Sequence, residues 1–155
     1  MKNKNVKNIT IEYYNTCSLT KVENKHNTYE RDKIDISLLL ETLQKKSVQE
    51  RTIKYNGENL LLSSIEFNKK SKLWELIFFK SRTAAIPFII NANGDSRQIL
   101  LKDDEMISEA LCIVYNPQNK IMAMQRNIYV VGTKGIETFF SSFLDIPIVL
   151  ESLQK

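Results

Sequence analysis

Apolar and polar residues alternate along several short stretches of this chain, and this period-two pattern predicts β-strands. Ile9, Ile11 and Tyr13 fall on one face of the first such stretch. In residues 73–80 apolar side chains occupy both faces, which is typical of a central strand. Further strands are predicted at residues 51–55, 60–67, 86–90, 98–101, 111–115 and 121–126, with a final turn or strand at 148–153.

A helical period of apolar residues follows Asp35, whose carboxylate is expected to cap the helix by accepting a hydrogen bond from an early N–H group. The stripe has the spacing i, i+3, i+4 and i+7 and consists of Ile36, Leu39, Leu40 and Leu43. The predicted helix ends near residues 45–46, where two lysines suit the negative end of the helix dipole.

A second helix is predicted to begin after Thr133. Its apolar stripe has the same spacing and consists of Ile136, Phe139, Phe140 and Phe143. Three phenylalanines on one face can pack against a sheet, and full burial of each side chain stabilises the fold by about 1.5–3 kcal/mol. If they were not fully covered, they would form an interface in a homo-oligomer or a hetero-complex.

Turn residues separate the predicted strands. Asn56-Gly57 favours a type I′ hairpin turn, which needs positive φ at both central positions. Residues 15–33 are polar and are predicted to form a long mobile loop. Together these patterns predict a single α+β domain over residues 1–155, with a mostly antiparallel sheet of about six or seven strands and two amphipathic helices packed on one face.

Composition adds little to this fold prediction but bears on the charge of the protein, its expected location and the state of its cysteines. The net charge is +4, and residues 1–81 hold 15 Lys and Arg against 10 Asp and Glu. The chain shows neither a long apolar segment nor a secretory signal, so we expect a cytoplasmic protein without membrane contact. Cys17 and Cys112 are expected to be reduced thiols, with Cys112 packed in the core.

The sequence lacks the usual catalytic motifs. His26 is the one histidine, so a histidine triad or a multi-histidine metal site cannot be assembled. The chain has four glycines in total, which are too few and too scattered to form a glycine-rich phosphate loop. We therefore expect no cofactor, and enzymatic activity is less favoured than binding.

Two charged clusters suggest alternatives to protein binding. Asp103, Asp104 and Glu105 could hold Mg²⁺ in a metal-dependent nuclease, or could form a solvated turn or the acidic start of a short helix over 106–111. The basic turn and the strand after it could contact nucleic-acid phosphates, or could keep a hairpin soluble. That second cluster comprises Lys69, Lys70, Lys72, Lys80 and Arg82.

Three stretches of the chain form a distinctive set of motifs. They are Leu-Trp-Glu-Leu at 73–76 with Arg82, Asp-Asp-Glu at 103–105, and Gln-Arg-Asn at 125–127 followed by Gly-Ile-Glu at 135–137. In their order and spacing they resemble a family of uncharacterised small proteins from bacteriophages and prophages. The resemblance implies a mobile-element origin but no catalytic residue. It favours a phage-type accessory protein that binds a host or phage protein and modulates a host defence system, with nucleic acid as an alternative partner.

Overall fold

A computed structural model describes residues 8–82, 86–127 and 129–153. The strands are β1 (Ile11–Lys21), β2 (Tyr29–Lys33), β3 (Thr52–Tyr55), β4 (Glu58–Asn68), β5 (Leu73–Arg82), β6 (Phe88–Ile90), β7 (Ser96–Gln98), β8 (Ile107–Asn116), β9 (Ile121–Gln125) and β10 (Ile148–Ser152). The helices are α1 (Ser37–Gln44) and α2 (Thr133–Ser141), and a 3-10 turn spans Gln49–Arg51.

The main sheet has eight antiparallel strands and is curled. Its order is β10-β1-β9-β8-β5-β4-β3, with β2 paired to β1 outside this path. β6 and β7 form a separate two-stranded sheet. The α+β class and the antiparallel sheet are therefore confirmed, and β5 is a central strand as its apolar residues predicted.

β1 holds the curled sheet together because it pairs with three strands. Its first half, Ile11 to Asn15, pairs with β9, and its second half, Cys17 to Lys21, pairs with β2. The opposite edge pairs with β10 over Tyr14 to Ser18. The predicted loop at 15–33 is therefore wrong for most of its length, since only residues 22–28 lie between the two strands.

A bulge at Ser63 interrupts the pairing of β4 with β5. The Ser63 carbonyl, displaced from the ladder, accepts a hydrogen bond from the buried Arg51 guanidinium at 3.0 Å. A bulge strengthens the local twist of a sheet, and a side-chain donor satisfies the carbonyl that the ladder leaves unpaired.

Both helices cover one face of the main sheet. Phe78 of β5 meets Phe139 and Phe140 of α2 edge to face, with ring centroids 4.9 and 6.0 Å apart. Leu40 and Leu43 of α1 are completely buried in the same core. Gly135 lies so close to Val131 that an added Cβ would stand 2.6 Å from the Val131 Cβ, so α2 needs glycine there.

Asp35 acts one position outside the predicted cap. The first helical residue is Ser37, and its N–H donates to Asp35 Oδ1 at 2.9 Å, while Ile36 occupies the cap position. Tyr115 from β8 joins this helix start, since its hydroxyl accepts from the Ile36 N–H at 3.2 Å. A residue in the central sheet thus positions the beginning of α1.

The burial of the two cysteines differs from the prediction that Cys112 packs in the core. Cys112 is exposed and Cys17 is buried. Leu111 and Ile113 point toward the helices, so Cys112, between them, must point away. The prediction of a buried Cys112 was wrong because an apolar run does not reveal which face of a strand is covered.

Several local predictions are confirmed. Asn56 and Gly57 have φ of 49° and 78°, as a type I′ turn requires. α2 begins at Thr133, and residues 148–152 form a strand. The alternative of a helix over 106–111 is wrong, because β8 begins at Ile107. Neither helix has the length and apolar character of a membrane-crossing helix in the described part of the chain.

Candidate interaction surface

A hairpin projects from the main sheet between β5 and β8. We call residues 86–106 the arm. The arm contains β6 and β7, which pair with each other through three residues on each side, Phe88 opposite Gln98 and Ile90 opposite Ser96. Gly94, with φ of 85°, and the Asn91 side chain shape its tip, where Asn91 Oδ1 accepts from the N–H groups of Asn93 and Asp95.

The arm exposes apolar side chains to a degree unusual for a sheet. Phe88 is 62% exposed, Ile90 is 68% exposed and Leu100 is 90% exposed. Ile86, Ile89 and Met106 are also exposed large hydrophobic residues. Phe88 and Ile90 share one face of β6, and clustered exposed apolar side chains mark interaction sites in soluble proteins.

Part of the main-sheet face opposite the helices is apolar, although the exposed Glu75, opposite Val114, and Glu66 beside it lie on the same face. Val114, Ala123 and Tyr13 lie side by side across β8, β9 and β1, and Ile77 lies beside Cys112. We call Tyr13, Ile77, Cys112 and Val114 the outer patch, and all four are exposed. A solvated sheet face usually carries polar residues, so this face is also available for contact.

The predicted nucleic-acid contacts do not form one surface. Lys69 and Lys70 lie in the exposed β4–β5 turn with Lys72, whereas Lys80 and Arg82 lie near the other end of β5, roughly 25–30 Å away at ~3.3 Å per residue. Glu58 pairs with Lys80 at 3.3 Å and Glu109 pairs with Arg82 at 2.6 Å. These carboxylates offset the two charges that were expected to extend the basic turn.

The predicted metal ligands lie at the base of the arm. Asp103 and Asp104 form an exposed turn, and Glu105 Oε1 accepts a hydrogen bond from the Lys102 N–H at 3.2 Å. Within the described ranges, His, Cys, Asp and Glu side chains nowhere gather in threes that could hold a metal ion. The three carboxylates are therefore not brought together.

The predicted phenylalanine interface lies mostly inside the chain. Phe139 and Phe140 are fully buried by contacts with Phe78, and Phe143 is partly buried against Phe139, at 5.1 Å between ring centroids. The first two cannot contact another molecule without unfolding of α2 from the sheet. Exposed large hydrophobic residues lie instead in the arm, in the outer patch and at scattered positions such as Leu38 and Phe67.

A small cleft beside the start of α2 is lined by a polar cluster of Glu12, Tyr14 and Arg126. Tyr14 donates a hydrogen bond to Glu12 Oε2 at 2.5 Å, and Arg126 lies 3.9 Å from the same carboxylate. Burial, followed by the hydrogen bond and charge of Glu12, raises the pKa of Tyr14 to about 12. At neutral pH Tyr14 therefore remains a hydrogen-bond donor, and the cluster tethers β1 to the end of β9.

Comparison with known proteins places the chain in a family. A model described as a family of unknown function, DUF6731, matches residues 1–152. The chain belongs to the DUF6731 family. No curated protein and no solved structure gives a significant match to it. The match spans the whole sheet, both helices and the arm of this DUF6731 chain.

The motifs that carried the phage resemblance have structural roles in this DUF6731 chain. Gly135 permits close packing against Val131, and Glu137 Oε1 accepts from the Leu150 N–H at 2.9 Å, which ties α2 to β10. The Asn127 side chain donates to the Ala110 carbonyl at 3.0 Å and accepts from the Tyr129 N–H. None of these contacts requires a ligand.

Sequence reasoning recognised strands in the arm but missed its significance. Residues 86–90 and 98–101 were predicted to be strands of the main sheet. The sequence offered the apolar residues Ile99, Leu100 and Leu101 for the second strand, and only the observed pairing of β6 with Ser96, Arg97 and Gln98 shows that this strand is polar. A hairpin with one apolar strand cannot bury that strand by itself.

Proposed function

We propose that this DUF6731 chain is a protein-binding module and that the arm is its contact surface. The single observation that supports this proposal is the exposure of Phe88, Ile90 and Leu100 on a hairpin that pairs with no strand of the main sheet. Burial of each such side chain is worth about 1.5–3 kcal/mol. A partner that covers the arm therefore gains substantial free energy.

The shape of the arm also favours a protein partner. An isolated two-stranded hairpin is marginally stable in water and gains stability when a further strand or a packed surface covers it. β6 and β7 each have one edge without a strand in the described structure, and strand addition at such edges is a common mode of protein recognition. Apolar side chains beside free backbone edges suit a polypeptide better than a nucleic acid.

The finer part of the proposal concerns biological setting. We propose that the chain is an accessory protein of a phage or another mobile element. In this proposal it acts in the cytoplasm of a bacterial host, where it binds a host or phage protein and modulates a host defence system. The support is the resemblance of the motifs at 73–82, 103–105 and 125–137 to phage and prophage proteins.

Nucleic-acid binding and metal-dependent cleavage rank below protein binding. The first would rely on Lys69, Lys70 and Lys72, because Lys80 and Arg82 are engaged by glutamates. The second would rely on Asp103, Asp104 and Glu105, which do not converge. Nucleic-acid binding predicts capture that nuclease and salt abolish, and metal-dependent cleavage predicts activity that requires Mg²⁺.

Affinity capture from a phage-infected bacterial lysate, with and without nuclease, tests the proposal. The tagged wild-type chain is compared with F88D/L100D, which changes only exposed arm residues, and with K69E/K70E/K72E, which changes the basic turn. We expect the wild type and K69E/K70E/K72E to capture a protein that stays bound after nuclease treatment. F88D/L100D should fail to capture it. The captured protein, once purified, should bind the wild-type chain again.

Other results would contradict the proposal. Capture that persists in F88D/L100D would remove the arm from the contact surface. Recovery of nuclease-sensitive material alone, lost in K69E/K70E/K72E and steeply weakened by salt, would move nucleic-acid binding to first place. Mg²⁺-dependent cleavage of nucleic acid by the purified chain, abolished by Asp104→Ala, would favour the nuclease.

A further inference from the structure

We propose that the cleft beside the start of α2 binds a free α-amino acid, and that Glu12 holds the ammonium group of this ligand while Arg126 holds its carboxylate. The cleft lies between β1, the end of β9 and the loop that leads into α2. This site is independent of the proposed function, because neither charged residue belongs to the arm. It adds a small-molecule ligand to a chain whose family description names none.

The two charged side chains of the cleft lie close together without a hydrogen bond between them. Arg126 Nη1 and Glu12 Oε1 are 3.9 Å apart, beyond hydrogen-bond range. In the Arg82–Glu109 pair the separation is 2.6 Å and a hydrogen bond forms. Within the described residues the Arg126 guanidinium donates no hydrogen bond, and the Tyr14 hydroxyl is the one donor to the Glu12 side chain. A ligand therefore gains hydrogen bonds at both charges and breaks none.

Tyr14 fixes the acidic end of the cleft. This residue is buried, and its hydroxyl donates to Glu12 Oε2 at 2.5 Å, which leaves Oε1 as the acceptor for a ligand. The phenol oxygen keeps the capacity to accept a hydrogen bond while it donates one. An ammonium group carries three N–H donors. It therefore finds two acceptors here, Glu12 Oε1 and the Tyr14 oxygen.

The balance of charge favours a ligand that carries both signs. Glu12 and Arg126 are the two charged residues among those that line the cleft. A simple carboxylate would be attracted by Arg126 and repelled by Glu12, and a simple amine would meet the converse. In an α-amino acid a single carbon separates the ammonium group from the carboxylate, so both protein charges gain a charge-assisted hydrogen bond from one small molecule.

The volume of the cleft suits a molecule of this size. It measures about 240 Å³, below the ~300–1,000 Å³ that is typical of pockets for drug-sized ligands. Met124 and Val131 give the cleft an apolar wall. An adjoining groove shares Arg126 and Asn127 with the cleft. The cleft therefore accommodates the charged groups of an amino acid, and the groove leaves space for a longer side chain.

A protein-observed NMR titration of the full-length chain with the standard amino acids, one at a time, tests the proposal. The tightest ligand is then compared with its N-acetyl derivative and its methyl ester, each of which lacks one of the two charges. We expect saturable binding of the free amino acid, with shift changes centred on the cleft. Each blocked form should bind about 10-fold or more weakly, because it loses one charge-assisted contact.

Two variants test the residues that hold the ligand. Arg126→Met and Glu12→Gln should each weaken binding about 10-fold or more, and the glutamine oxygen keeps an acceptor for Tyr14. Arg31→Met is the matched control, because Arg31 forms a similarly loose pair with Glu151, at 3.6 Å, and lies outside the cleft. It should bind like the wild type. Circular dichroism should show that all three variants keep their fold.

The absence of saturable binding for every amino acid would overturn the proposal. Equal affinity for the free and blocked forms, or shift changes centred outside the cleft, would do the same without any variant. Unchanged affinity in Arg126→Met and Glu12→Gln would remove the two residues from the site. F88D/L100D should bind amino acids like the wild type, so failure of the lysate capture and failure of amino-acid binding can be told apart.

Discussion

The Tyr115 hydroxyl donates a hydrogen bond to Asp35 Oδ1 at 3.1 Å, across 80 residues of sequence. The same hydroxyl accepts from the Ile36 N–H. Tyr115 is completely buried in β8, and Asp35 lies just before α1. One phenol therefore sets where the first helix begins relative to the centre of the sheet.

Tyr115→Phe should destabilise the protein by ~1–3 kcal/mol, the usual cost of leaving a buried polar group without its partner. The substitution removes the acceptor of the Ile36 N–H and the donor to Asp35. Urea unfolding at neutral pH measures the loss. Tyr13→Phe is the control, since Tyr13 is exposed and its change should stay within ~0.5 kcal/mol. Equal effects of the two substitutions would contradict the role of Tyr115.

The stability contributed by the Asp35 charge should depend on pH. Burial raises the pKa of Asp35, but hydrogen bonds from Ser37 and Tyr115 outweigh burial and the net pKa is lowered. A carboxyl with a lowered folded-state pKa stabilises the protein above its unfolded pKa of ~3.9, and this contribution is lost as pH falls through the folded pKa.

Asp35→Asn therefore tests the charge while keeping the acceptor oxygen. The free energy of unfolding of the variant should lie below that of the wild type at neutral pH, and the two should converge below pH ~4. NMR titration should also show that Tyr115→Phe raises the pKa of Asp35. A wild-type advantage that persists at low pH would contradict this account.

Two neighbouring leucines of α1 should differ strongly in their contribution to stability. Leu40 is completely buried, and Leu38 is exposed. Leu40→Ala should lower the free energy of unfolding by ~2–5 kcal/mol, because it leaves a cavity in the core. Leu38→Ala should change it by less than ~0.5 kcal/mol. Guanidinium unfolding of both variants compares them, and similar losses would mean that α1 packs through another face.

The two thiols should react at different rates in the folded protein. Cys112 is exposed, whereas Cys17 is buried, and burial together with the charge of Glu151 raises the pKa of Cys17. With dilute protein and a thiol reagent, Cys17→Ser should leave a fast-reacting thiol and Cys112→Ser a slow one. Both should react fast in denaturant. A fast thiol in folded Cys112→Ser would contradict the burial of Cys17.

Local features of this fold could be predicted from the sequence because they depend on near neighbours. The stripe through Leu39, Leu40 and Leu43 determined the buried face of α1, and Asn56-Gly57 determined a hairpin turn through its positive φ values. The apolar residues on both faces of β5 similarly predicted a central strand. In each case the physical cause acts within a few residues.

Contacts between distant residues decided the rest. The polar stretch after Asn15 is a strand only because β2 and β10 supply hydrogen-bond partners on its two edges. Cys112 and Cys17 differ in burial because the tertiary fold determines which side of each strand is covered. The arm became a candidate surface for the same reason: its apolar residues resemble core residues in the sequence, and only the packing of the whole chain leaves them outside the core.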